Sequence, residues 1–95
     1  MDPIVSTWQS GSLSTSHVVG QSWPEWMDAH LDALALVFPG GVDPITTCWT
    51  YDDNGTPKEK CVVTEKQPGE TLSEWFARHR RRVWAEALKC PPIIQ

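Results

Sequence analysis

Apolar and polar positions alternate along this chain with a period of two, then shift to the three-four spacing of a helix, and then do both again. The pattern predicts strand, turn, strand, helix in each half. In the first half, Ile4 to Gln9 and Leu13 to Val19 read as strands around Gly11-Ser12, a Gly-first pair suited to a type II′ turn. That register sets Ile4 against Val19 and Val5 against Val18. Partial disorder of this Ser-rich arm is the alternative.

The second half carries a stronger turn signal, because Asn54-Gly55 is the preferred type I′ pair and lies between two β-rich runs. With these two as the loop, Cys48 faces Cys61, Thr47 faces Val62 and Asp52 faces Pro57. Counting outward makes 52/57 and 48/61 non-hydrogen-bonded pairs, so Pro57 loses no ladder bond. A Cα spacing of about 4.5 Å in such a pair brings Cys48 and Cys61 within disulfide reach. Two packed free thiols are the preferred expectation in a reducing cytoplasm.

Each helical stretch opens on a capping box, Ser22 with Glu25 and Thr71 with Glu74. Pro24 fits the first turn, and Pro39-Gly40 and Pro91-Pro92 stop the helices. The first helix is expected to bury Trp23, Met27, His30, Leu31, Leu34 and Phe38 or Val37. The second is expected to bury Leu72, Trp75, Phe76, His79, Val83 and Ala87.

The two halves also share wording. Asp2-Pro3-Ile4-Val5-Ser6-Thr7-Trp8 returns as Asp43-Pro44-Ile45-Thr46-Thr47-Cys48-Trp49, and Ser22 to His30 returns as Thr71 to His79. Two signatures in the same order imply an internal duplication, with copy one at 2–41 and copy two at 43–92. The expected fold is α+β, one domain over 1–95: a duplicated ββα-ββα unit forming a four-stranded antiparallel sheet. Both helices pack on one face, related by a pseudo-twofold axis.

Composition fits a small globular domain, with 40% apolar residues and six Trp among 95 residues. The longest nearly apolar run, Ala33 to Phe38, is far shorter than the roughly 18 to 20 residues that span a bilayer, so no membrane association is expected. No secretory signal is evident and three cysteines suit no disulfide scaffold, which together suggest the cytoplasm.

Charge separates the halves. Residues 1–42 hold Asp2, Glu25, Asp28 and Asp32 with no Lys or Arg, whereas residues 43–95 balance eight acids with eight bases and gather Arg78, Arg80, Arg81 and Arg82 in the second helix. Asp28 and Asp32 are expected to meet Arg78 or Arg82, and Glu74 to pair with Arg78 at i, i+4. The second helix also has an apolar strip that the first lacks, Ala77, Trp84 and Leu88, framed by Arg80 and Arg81. Trp and Arg are enriched at interface centres, so Ala77, Arg80, Arg81, Trp84 and Leu88 form the candidate interface. Packing of Trp84 over its own domain's edge, or under Ile93-Ile94, is the competing expectation.

No catalytic motif emerges: there is no nucleophile elbow, no phosphate-cradling Gly-rich loop, and Glu25 and Glu74 are explained by capping. His30 and His79 recur four residues after the repeated Trp. As zinc ligands they would need Cys48 or Cys61 beside them, without a local pair to hold the first two ligands. An imidazole on the preceding Trp, bonded to a backbone carbonyl, is the simpler expectation. The sequence therefore suggests a small protein–protein interaction module that binds a partner protein or itself as a dimer, with no catalysis, cofactor or metal. The alternative is a nucleic-acid accessory binder with Arg78, Arg81 and Arg82 on phosphates. The acidic balance, with a pI near 5.2, opposes it.

Overall fold

The computed structural model describes residues 2–41 and 43–94. Strands β1 (Ile4–Trp8) and β2 (Gly11–Thr15) precede helix α1 (Trp23–Val37), and strands β3 (Ile45–Asp53) and β4 (Thr56–Thr64) precede helix α2 (Leu72–Lys89). The fold is α+β. Its four strands form one antiparallel sheet in the order β2-β1-β3-β4.

The second hairpin follows from its turn. Asn54 and Gly55 adopt the positive φ that type I′ demands, 53° and 85°, and Cys48, Thr47 and Asp52 face Cys61, Val62 and Pro57 as expected. The first hairpin differs: Ile4 pairs with Thr15 and Trp8 with Gly11, leaving Gln9 and Ser10 as the loop, so Ile4–Val19 and Val5–Val18 are not pairs. Gly11 serves the indole of Trp8 rather than the turn. A Cβ on Gly11 would meet that ring at 3.0 Å. Val18 and Val19 consequently fall beyond the strand and are exposed.

One sheet face carries Ile4, Ser6, Ile45, Thr47, Trp49, Val62 and Thr64, all buried, and the helices cover it. From α1 come Trp26, Met27, His30, Leu31 and Leu34, followed by Phe38; from α2 come Trp75, His79, Val83 and Ala87. The helix stripes are thus narrower than expected. Trp26 replaces Trp23 in the core, Leu72 keeps 46% of its surface exposed, and Phe76 is half-buried. Both capping boxes form, each hydroxyl accepting from the Glu backbone and each Glu from the cap backbone.

Three fully buried indoles each donate to a backbone carbonyl, which removes the cost of an unpaired N–H. Trp26 bonds Thr15 at 3.1 Å, Trp75 bonds Thr64 at 3.1 Å, and Trp49 bonds Cys90 at 2.7 Å. β3 extends past β1, and the C-terminal tail covers that stretch: Pro92 bridges to Tyr51 and the Ile93 N–H donates to the Thr50 carbonyl. The helices run antiparallel, since Phe38 at the end of α1 meets Trp75 near the start of α2, while Trp23 meets Trp84.

Candidate functional site

His30 and His79 occupy the same position in their helices and point onto the buried sheet face, where a hydroxyl chain joins them. His30 Nε2 lies 2.7 Å from Ser6 Oγ, Ser6 Oγ lies 2.7 Å from Thr47 Oγ1, and Thr47 Oγ1 lies 2.7 Å from His79 Nε2. The outer nitrogens engage Thr15 at 2.9 Å and Thr64 at 2.7 Å. The imidazoles therefore bond hydroxyls, not the backbone carbonyls expected of them, and both are fully buried. Among the described residues no buried side-chain polar atom lacks a partner.

Burial holds both imidazoles well below their ordinary pKa of 6.5, at about 4. At His79 the charges of Arg82, His30 and Arg78 push further in the same direction. Hydroxyl beside imidazole is the pairing of a nucleophile and its base, and here Ser6 and Thr47 are both fully buried. The chain fastens α1 to β1 and β2, and α2 to β3 and β4. It thereby sets how the helices present their outer surfaces.

On that outer surface the arginines are dispersed. Arg80 donates to Asp32 at 3.1 Å and to Asp28 at 2.9 Å, taking the role expected of Arg78 or Arg82. Arg78 pairs with Glu70 at 2.9 Å instead of Glu74 and also donates to the Glu65 carbonyl. This contact holds the Glu70 carboxyl well below the usual range, at about 2. Arg82 reaches back to the Val63 carbonyl and the Thr64 hydroxyl. Arg81 is exposed, and no acidic partner meets it among the described residues.

Of the remaining candidate interface residues, Ala77 and Leu88 are exposed, Leu88 at 71%. Trp84 is half-buried and its ring packs on Trp23 with centroids 5.6 Å apart, an intramolecular role. Sequence reasoning missed the far end of the helix pair. There Ala35, Phe38, Leu72, Phe76, Ala77 and Arg80 line an open cleft of about 340 Å³. On the last turn of α1, Leu36 and Val37 are 88% and 49% exposed. The signal available was the exposure implied for Leu36 by its place opposite the core stripe of α1.

Cys48 and Cys61 are bonded, which corrects the expectation of free thiols: their Cα atoms are 4.1 Å apart and both side chains share the uncovered sheet face. Glu59 lies beside them, with Cys61 Sγ 3.4 Å from its carboxylate. Three potential donors gather there, yet a disulfide offers no thiolate to a metal. The histidines sit on the opposite face, so the ligand set of His30, His79 and a cysteine is not assembled. Cys90 is a free thiol.

The chain matches no family model, no curated protein and no solved structure.

Proposed function

We propose that the chain is a small protein–protein interaction module, acting without catalysis or cofactor through the outer face of its helix pair on a partner protein or a second copy. One observation carries this reading. Leu36, Val37, Leu72 and Leu88 all expose apolar surface on the helices, while the chemistry-bearing histidines and hydroxyls are sealed inside. The buried centre of an interface is more apolar than the rest of a protein's surface.

We read the fold as a duplicated ββα unit, copy one at 2–41 and copy two at 43–92, with a pseudo-twofold axis through the Ser6–Thr47 pair. Its supports are internal. The pairs Val5–Cys48 and Thr7–Thr46 exchange when the D-P-I motifs are superposed, and His30 corresponds to His79, Trp26 to Trp75 and one capping box to the other. An ancestral dimer of the unit suits this form.

The nucleic-acid reading has less support, since Arg78, Arg80 and Arg82 are engaged within the molecule. A cytoplasmic location remains our proposal from composition; there Cys48 and Cys61 would be held reduced, whereas the bonded form suits an oxidising compartment. Sedimentation velocity over a hundredfold concentration range, with and without a partner captured from the native host, tests the main reading. Leu88→Glu and Leu36→Glu should weaken association while leaving the fold intact. Binding to DNA or RNA that falls steeply with salt and is lost in Arg81→Ala would favour the alternative instead.

A further inference from the structure

The cleft at the Leu72 end of the helix pair has a filled counterpart at the other end. Trp23 is the first residue of α1 and Leu72 the first of α2; Trp84 and Ala35 stand at the same later position of α2 and α1. Because the helices are antiparallel, Trp23 packs on Trp84 at one end and Leu72 adjoins Ala35 at the other. Where two indoles close the surface, a leucine and an alanine leave it open. The vacancy is therefore lined for an aromatic ring, with Phe38 and Phe76 on its walls and the Arg80 guanidinium, steadied by Asp28 and Asp32, at its rim.

We propose that this cleft, lined by Ala35, Phe38, Leu72, Phe76, Ala77 and Arg80, binds an aromatic side chain on a partner segment flanked by carboxylates. The inference rests on the protein-interaction reading above and gives it a site and a partner chemistry. Charge selects the flanks: Arg81 lies one helical turn beyond Ala77, is exposed, and meets no acidic residue among the described ones. A second copy is the poorer source of the ring, because Trp8, Trp23, Tyr51 and Trp84 are each partly buried in their own molecule and the large apolar residues that the described chain leaves exposed, Val18, Val19, Leu36, Val37, Val63, Leu72, Leu88 and Ile94, are all aliphatic. An aromatic anchor in an apolar pocket with a polar rim is the arrangement that dominates binding energy in small interfaces.

The test uses the full chain and a capped five-residue peptide holding one tryptophan between two pairs of glutamates, followed through the methyl resonances of Ala35, Leu72 and Ala77. Saturable shifts at these methyls are expected. Replacing the peptide's tryptophan by alanine, or filling the cleft with Ala35→Trp, should weaken binding by about tenfold or more, and Arg81→Glu should weaken it by severalfold. Ala77→Arg, at the exposed rim, repeats the block should Ala35→Trp disturb folding, which unchanged core resonances would report. Absence of saturable shifts, or shifts that survive both variants, overturns the proposal. So do concentration-dependent shifts of the same methyls without peptide, which would assign the cleft to a second copy. If Leu88→Glu abolishes partner binding and Ala35→Trp does not, the cleft proposal falls and the interaction reading stands; if neither has any effect, both fall.

Discussion

Ser6 and Thr47 face each other across β1 and β3 with their hydroxyl oxygens 2.7 Å apart, and one hydrogen must serve the bond between them. The other hydroxyl then donates to the imidazole on its own side, and the remaining imidazole must donate inward. Two neutral histidines in this chain cannot be the same tautomer. Arg82 decides which is which: it donates to Thr64 Oγ1 at 3.0 Å, so the Thr64 hydroxyl is best satisfied by donating to His79 Nδ1. His79 is therefore expected as the Nε2–H form and His30 as the Nδ1–H form. Ring nitrogen chemical shifts at neutral pH measure this directly, and two histidines of one tautomer would contradict it.

Acid should act through the same pair. Each imidazole titrates near 6.5 when unfolded but at about 4 when folded. Between those values the unfolded chain takes up protons that the folded one does not. The contribution is thus fully present above pH 6.5 and declines as pH falls toward 4. The expected loss at pH 5 is about 2 kcal/mol per imidazole relative to pH 7.5, read from urea midpoints. Thr47→Val, which strands Ser6 and His79 together, should cost about 1–3 kcal/mol for each group left unpaired.

Trp84 and Trp75 differ in what they hold up. Trp75→Ala empties a fully buried site and should cost roughly 3–5 kcal/mol. Trp84→Glu removes a half-buried ring and its packing on Trp23, worth about 0.5–1.5 kcal/mol beyond its buried area, and should leave a folded but weakened domain. Leu88→Glu should shift the unfolding midpoint very little. Thermal melts of the three variants give the ranking.

Opening the Cys48–Cys61 bond should lower stability while sparing the helices. The bond closes a loop between residues 13 apart, for which chain entropy suggests about 3 kcal/mol, less whatever order Asn54-Gly55 already imposes on the unfolded hairpin. Cys48→Ser with Cys61→Ser should therefore cost about 1–3 kcal/mol in the urea midpoint, with the far-ultraviolet helix signal retained.

The elements readable from sequence were those with local chemical signatures. Asn54-Gly55 set the β3–β4 register, and Ser22–Glu25 and Thr71–Glu74 set both helix starts. The β1–β2 register was not readable, because the expected and actual pairings differ by an even number of residues and keep the same side chains on the same face. Gly11 looked like a turn residue, yet its role is to lie beneath Trp8, a contact across strands. The hydroxyl chain was hidden for a related reason. Ser6, Thr15, Thr47 and Thr64 resemble the polar half of an alternating strand until the helices bring His30 and His79 above them.

The tail laid along β3 has a consequence for how copies of this molecule meet. With that flank occupied, the remaining margins of the sheet are β2, five residues long, and β4, which bears Pro57, Lys58, Glu59 and Lys60. Short, proline-bearing and charged margins resist the addition of another strand. Growth edge to edge into continuous ribbons is thereby discouraged, and removing residues 91–95 would bare the β3 backbone near Thr50 and Tyr51 and open a route to fibrous assembly.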